Sequence, residues 1–171
     1  GPKKAKQLID EGITTIDELK NNESKLNDTQ KIGLRYYEPL QKRIPRGEIE
    51  EFNKVFDTIF KETTPDGSKY EIVGSYRREA SNSGDIDIII TNNENNIKAF
   101  GAFLNKLIAD KVIIEVLTRG KTKSLTIGQL SQSSSSSTSS ESIPRRIDFL
   151  YAKPSEYAFS TLYFSGSKAF N

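Results

Sequence analysis

The sequence predicts an α+β fold, with a helical N-terminal segment leading into a mixed β-sheet that has helices against one face. Three observations carry this. Residues 1–45 hold short apolar-periodic stretches separated by cap and turn residues, residues 46–154 alternate long amphipathic stretches with β-prone runs, and these runs follow in the order strand, helix, strand, strand.

Ala5, Leu8 and Ile9 recur at helical spacing, and Gly12 stands where a C-terminal cap belongs. Thr15 with Glu18 three positions later forms a capping-box pattern ahead of Ile16 and Leu19. Asn27 with Gln30 can start another helix reaching Tyr36-Tyr37. A longer helix follows Pro45, with Ile49, Phe52, Phe56, Ile59 and Phe60 on one face. Pro65-Asp66-Gly67 stops it with a turn, and Tyr70 to Val73 reads as a strand. Ile97, Phe100, Leu104, Leu107 and Ile108 mark the next helix, then Val112 to Leu117 and Ser124 to Leu130 are β-prone. Ser131 to Ser142 is nearly all serine, with too little apolar surface to offset ordering, and is expected to be a mobile insertion between strands. Ile147 to Ala152 resumes the sheet, and Pro154-Ser155 opens a last helix through Leu162.

The 171 residues suit one ordinary domain or two small ones, with 35% hydrophobic and 28% charged residues. No run approaches the length of a membrane span and no signal-peptide pattern opens the chain. The net charge is only +2, so any basic surface must come from local clusters: Lys3, Lys4 and Lys6; Lys42, Arg43 and Arg46; Arg119, Lys121 and Lys123; Arg145 and Arg146. Cysteine and histidine are absent. That removes disulfides, zinc sites of the Cys/His type and every Ser-His or Cys-His nucleophile pair, leaving acid–base work to carboxylates. The chain opens at Gly1-Pro2 without Met and stops at Phe170-Asn171 directly after a loop, and it is expected to be part of a longer protein.

The stretch from Gly74 to Ile90 carries the chemistry. Extended backbone alternates faces, so Asp85, Asp87 and Ile89 share one side while Ile86, Ile88 and Ile90 take the other. Two carboxylates so close raise each other's pKa unless a cation lies between them, and hard oxygen ligands suit Mg²⁺ or Mn²⁺. Upstream, Gly74 and Ser75 are expected to leave backbone N–H groups open to a phosphate, and Arg77 and Arg78 add guanidinium donors. D-x-D alone is common, and a Gly-Ser turn before two arginines is usually a solvated connection; the two halves together are far more specific.

Asp148 is an acid in an otherwise apolar strand, where an unpaired charge is costly. It is either a surface acid paired to Arg145 or Arg146, or a third ligand beside Asp85 and Asp87. Three carboxylates around one cleft suffice to hold two metal ions roughly 3.5 to 4 Å apart for in-line phosphoryl transfer. One ion lowers the pKa of an attacking hydroxyl, and the other holds a triphosphate and the leaving pyrophosphate.

Gly74-Ser75-x-Arg77-Arg78, Gly84-Asp85-x-Asp87, Arg145-Arg146-Ile147-Asp148, Tyr163-Phe164-Ser165-Gly166-Ser167 and Phe170-Asn171 together resemble the palm and nucleotide-pocket signature of the family X DNA polymerases, with the beta type the nearest. The resemblance runs from end to end, interrupted by the serine-rich insertion. It implies a helix-hairpin-helix DNA-binding subdomain over 1–45, of which Gly1 to Lys6 looks like the second half. A nucleotidyltransferase-type palm over 46–154 follows, with the insertion at 131–142, and then the start of a nucleotide-selecting subdomain over 155–171. The resemblance does not extend over a deoxyribose-phosphate lyase domain, and whether the longer protein carries one is left open by these residues.

By the same resemblance, Asp85, Asp87 and Asp148 match the metal-binding triad, with Asp148 similar to the acid that deprotonates a primer 3′-hydroxyl and Arg146 placed to orient it. Gly74, Ser75, Arg78 and Gly84 match positions holding the incoming triphosphate, and Arg43 resembles a further phosphate ligand. Tyr163, Phe164 and Gly166 match the segment under the sugar that disfavours a ribose 2′-hydroxyl; from the residues alone, Tyr163 and Phe164 read as helix-end packing. Asn171 resembles the residue reaching the minor groove of the nascent pair. Gly1, Lys3 and Lys4 match a DNA phosphate grip, and Lys123 a basic residue near the template. Ser165 stands where the family usually has threonine, Leu150 replaces a basic residue of the beta branch, and Lys168 departs near the incoming base.

The implied activity is template-directed addition of deoxynucleotides (dNTPs) to a primer 3′-hydroxyl by a two-metal mechanism, as in short-gap filling during DNA repair. It uses two Mg²⁺ ions, with Mn²⁺ able to substitute. Primer-template or gapped DNA and a dNTP are the partners, no membrane is involved, and a monomer in the nucleus is expected. Two other readings stand beside it: an untemplated or other nucleotidyltransferase, and a non-catalytic DNA-binding segment.

Overall fold

A computed structural model describes residues 1–131 and 142–166. The chain forms two compact units, Gly1–Glu38 and Pro39–Asn171. In the first, helix α1 (Pro2–Asp10) starts with proline in its first turn, where a missing N–H costs nothing. It ends before Gly12, whose φ of +84° is the left-handed cap a glycine adopts without strain. Helix α2 (Ile16–Lys20) and helix α3 (Asp28–Arg35) both begin with complete capping boxes, Thr15 with Glu18 and Asn27 with Gln30. A short 3₁₀ turn, Glu23–Lys25, lies between them. Ile13, Leu26 and Leu34 are buried. Helix α4 (Tyr37–Leu40) crosses the boundary between the units.

The second unit opens with a two-residue strand β1 (Ile44–Pro45) and the long helix α5 (Arg46–Thr63), followed by strand β2 (Ser68–Ile72). Strand β3 (Asn82–Ser83) pairs antiparallel with β1, and strand β4 (Ile86–Asn92) leads to helix α6 (Lys98–Ala109). Strands β5 (Ile113–Arg119), β6 (Lys123–Gly128) and β7 (Arg145–Tyr151) and helix α7 (Tyr157–Ser165) complete it. The five-stranded sheet has the order β2-β4-β7-β6-β5. Only β4 and β7 run parallel, and the other neighbours are antiparallel, so the sheet is mixed as expected.

Helices α5 and α6 bury their apolar stripes with one face of the sheet. The shared core joins Ile49, Phe52, Phe56 and Phe60 of α5 with Phe100, Phe103, Leu104 and Leu107 of α6 and with Ile86, Ile88, Ile90, Ile147 and Phe149 of the central strands. Phe103 meets Phe56, Phe60 and Phe149 edge-on at centroid distances of 6.2, 5.2 and 6.0 Å, the offset geometry that aromatic quadrupoles favour. Two expectations are corrected here. Ile97 is not part of the buried stripe, because it is the N-cap of α6 and is exposed, while Phe103 takes the central place. The cover is also not wholly one-sided: on the opposite face Tyr157 and Leu150 pack against Val73, Ile89 and Ala152. The expected serine-rich insertion falls between β6 and β7, and its residues 132–141 lie outside the described residues, as do 167–171.

Candidate active site

The alternation of β4 and β7 separates two chemistries. Ile86, Ile88, Ile90, Ile147 and Phe149 enter the core, which directs Asp87 and Asp148 to the other face. The parallel register sets Asp87 directly opposite Asp148, and Asp85 precedes β4 by one residue. Carboxylate oxygens of Asp85, Asp87 and Asp148 all lie within 4.8 Å of one another. Like charges opposed across a strand pair destabilise a sheet, so the arrangement is unfavourable unless protons or cations intervene.

The electrostatics record that strain. Burial, then the charges of Asp85 and Asp148, and then a hydrogen bond with Asp85 push the Asp87 carboxyl up to about 7, with Arg146 opposing. Burial likewise raises Asp148, while the charge and hydrogen bond of Arg146 and the charge of Lys123 pull it down and Asp85 pushes it up. Arg146 is held from both ends: its Nη2 donates to Asp148 Oδ1 at 2.5 Å and its Nε to the Thr126 carbonyl at 3.3 Å. The donor set is all hard oxygen with excess negative charge, which fits a divalent cation such as Mg²⁺ or Mn²⁺.

The Gly-Ser loop closes over this cluster. Val73 N–H donates to the Asp87 carbonyl at 2.8 Å, tying the loop entry to β4. Gly74 follows with φ +68°, and a Cβ there would stand 2.9 Å from Asp87 Oδ2, so both the backbone conformation and the approach of the carboxylate require glycine. Ser75 Oγ donates to Ser83 Oγ at 2.5 Å. Arg46 supports the loop from below, its guanidinium 4.1 Å from the Tyr76 ring centroid and donating to the Tyr76 carbonyl at 2.7 Å.

One expectation for the loop is corrected. The Gly74 N–H is not open to a phosphate, because it donates to the Phe164 carbonyl at 3.0 Å. Arg78 Nη1 donates to the Ser165 carbonyl at 2.7 Å, and Arg77 is shared between Glu71, at 2.9 Å, and Ser165 Oγ, at 3.4 Å. The last carbonyls of α7 have no helical partner, and the loop supplies their donors.

Arg43 lies beside Gly84, with its Nη1 3.1 Å from where a Cβ on that glycine would stand and its Nε donating to Asn82 Oδ1 at 2.9 Å. Tyr163 and Phe164, at the end of α7, are 48% and 42% exposed, which leaves aromatic surface uncovered there. Gly166 is the C-cap of that helix. Lys123 begins β6 and is exposed. Gly1, Lys3 and Lys4 lie at the start of α1 in the first unit, with Gly1 as its N-cap. Asn171 and Lys168 are outside the described residues.

Sequence reasoning missed the partners that hold these groups: Asn82 for Arg43, Ser83 for Ser75, the Thr126 carbonyl for Arg146, and the Glu48 partner of Arg145. None of these carried a local signal, but the choice of arginine beside Asp148 did. Arg145 and Asp148 are three apart in a strand and therefore face opposite ways, which leaves Arg146 to meet the carboxylate.

A mixed sheet carrying an acidic triad beside a glycine-serine loop defines the palm of a nucleotidyltransferase. Residues 43–154 match the family described as DNA polymerase beta palm, and residues 1–41 match the fingers domain of DNA polymerase lambda. The chain belongs to the family X DNA polymerases. It is 36% identical to DNA polymerase lambda of Arabidopsis thaliana over 108 residues, 63% of this chain and 20% of that protein. Against DNA polymerase lambda of Rattus norvegicus it is 26% identical over 178 aligned positions, 100% of this chain and 30% of that protein. Against the DNA-directed DNA/RNA polymerase mu of Homo sapiens it is 29% identical over 91 residues, 53% of this chain and 18% of that protein. The chain thus spans less than a third of the length of each of these relatives.

Proposed function

We propose that the protein carrying this chain is a template-directed DNA polymerase that adds dNTPs to a primer 3′-hydroxyl and fills short gaps in DNA repair. The observation that supports this best is the triad of Asp85, Asp87 and Asp148, whose oxygens converge within 4.8 Å in a family X palm.

In this reading the three carboxylates hold two divalent cations, Mg²⁺ with Mn²⁺ able to replace it, which would acidify the attacking hydroxyl and neutralise the triphosphate. Asp148 takes the proton of the primer 3′-hydroxyl. Arg146, whose Nη2 donates to Asp148 Oδ1, keeps that carboxylate oriented and favours its ionised form. Ser75, Arg78, Arg43 and the backbone at Gly84 receive the triphosphate, with Arg78 exchanging its bond to the end of α7 for a phosphate oxygen, while Gly74 lets the loop approach Asp87. Tyr163, Phe164 and Gly166 lie under the sugar, and a 2′-hydroxyl is excluded sterically. Asn171 reaches the minor-groove edge of the new pair.

Lys123 is the basic residue near the template. Residues 1–45 act as a helix-hairpin-helix subdomain in which Gly1, Lys3 and Lys4, at the N-terminus of α1, grip a DNA phosphate without reading bases. Residues 46–154 form the palm and 155–171 begin the nucleotide-selecting subdomain. The protein works as a monomer in the nucleus on gapped DNA.

Single-nucleotide incorporation on a one-nucleotide gapped duplex with Mg²⁺ tests the reading. Incorporation abolished by Asp148→Ala supports it. Salt-sensitive DNA binding without incorporation would instead make the protein a non-catalytic DNA binder, and extension of single strands without a template an untemplated nucleotidyltransferase.

A further inference from the structure

We propose that Arg145, paired with Glu48, is a positioning residue that fixes Arg43 on the phosphate side of the active site. The proposal rests on the polymerase reading, in which Arg43 is a phosphate ligand. Arg145 lies in β7 with its side chain on the face away from the carboxylates and only 3% exposed. Its Nε and Nη2 meet the two oxygens of Glu48, in the first turn of α5, the second contact at 3.1 Å. Its Nη1 donates to the carbonyl of Lys42 at 3.2 Å and to that of Arg43 at 3.1 Å.

Those two carbonyls belong to the peptide groups on either side of the Arg43 Cα. One buried guanidinium therefore holds the backbone before and after Arg43, and the fork geometry of arginine is what allows a bidentate carboxylate and two carbonyls to be met together. With its backbone held, Arg43 reaches Asn82 Oδ1 and the flank of Gly84, the residue before Asp85. The next residue, Ile44, pairs with Ser83 and continues the same alignment. Asp148 lies three residues along β7 from Arg145, so one strand carries both a carboxylate of the triad and the anchor of the phosphate arginine. An apolar side chain at position 145 could fill the core at least as stably, whereas a charged pair with four directed hydrogen bonds specifies a position.

The test is a double-mutant cycle read by calorimetric binding of inorganic triphosphate and of a dNTP, each with Mg²⁺, to the full chain. Arg145→Lys and Glu48→Gln are measured alone and in an Arg43→Ala background, with melting curves to establish folding. Each is expected to weaken triphosphate binding by between about tenfold and a hundredfold alone and to add nothing once Arg43 is gone. The same loss in both backgrounds, or no loss in folded variants, overturns the proposal. If Arg145→Lys does not fold, Glu48→Gln decides, since it keeps the buried arginine and its carbonyl bonds but loosens the fork. A wild-type chain that binds neither probe overturns the polymerase reading itself, and the role of Arg145 with it.

Discussion

Replacing Asp87 with asparagine should make the metal-free protein more stable at neutral pH while destroying its metal site. Asp87 is raised from an ordinary 3.8 to about 7, chiefly by burial and then by the charges of Asp85 and Asp148. Because the folded state holds the proton more tightly than the unfolded chain, its contribution is complete below the unfolded value near 4. It is lost as pH rises toward 7, and above that it is level. A change of that size sets a ceiling of about 4 kcal/mol, and sharing of the proton among three carboxylates reduces the expected effect to about 2 kcal/mol. For a protein of this size that corresponds to about 6 °C in Tm.

Thermal melts of wild type and Asp87→Asn in chelator, from pH 4.5 to 8, read this directly. Wild type should lose stability across that range and the variant should stay flatter, so the gap is widest at pH 8. Adding Mg²⁺ or Mn²⁺ at pH 8 should restore the wild type and leave the variant unchanged, since a ligand that binds only the folded state stabilises by mass action. Parallel pH profiles, or a variant less stable than wild type at pH 8 without metal, would refute the assignment of strain to this triad.

Gly74→Ala combines a left-handed φ with a Cβ 2.9 Å from Asp87 Oδ2, and should lower stability by about 1–3 kcal/mol in a denaturant titration and weaken Mn²⁺ binding. Gly128→Ala would bring a methyl to 2.4 Å from Ile147 Cδ1 and 2.7 Å from the Val112 carbonyl; it should cost about 1–3 kcal/mol by overpacking, without changing Mn²⁺ affinity. Arg146→Met removes the donor and the charge that pull the Asp148 carboxyl down, so the acidic limb of the pH–rate profile for gap filling should move to higher pH.

What the sequence made legible is what repeats with a period. The stripe of α5, with Ile49, Phe52, Phe56, Ile59 and Phe60, is buried as its spacing demands, and the alternation through β4 placed Asp87 opposite in sense to Ile86 and Ile88. Caps were legible too, because Thr15 with Glu18 and Asn27 with Gln30 act within four residues. What failed was non-local or fell at an element's edge. The sequence alone suggests an open donor at Gly74, because nothing near it in the chain shows that the Phe164 carbonyl comes to meet it. Ile97 fits the apolar period of α6 but precedes its first turn, and Phe103 supplies the central contact instead. The pairing of Ile44 with Ser83 involves two residues on each side and backbone bonds alone, and so has no side-chain pattern to read.

The division of labour across the sheet explains how the fold tolerates its own active site. Three carboxylates whose oxygens lie within 4.8 Å oppose folding whenever they are ionised and unpaired. The opposing face offsets that cost locally, since Ile86, Ile88, Ile90, Ile147 and Phe149 of the same two strands are all at most 1% exposed beneath α5 and α6. Fully buried apolar packing thus lies directly behind the least favourable charges. Moving Asp87 or Asp148 by one residue would send a carboxylate into that aromatic core and an isoleucine or phenylalanine into the site, so the period of two fixes the chemistry and the stability together.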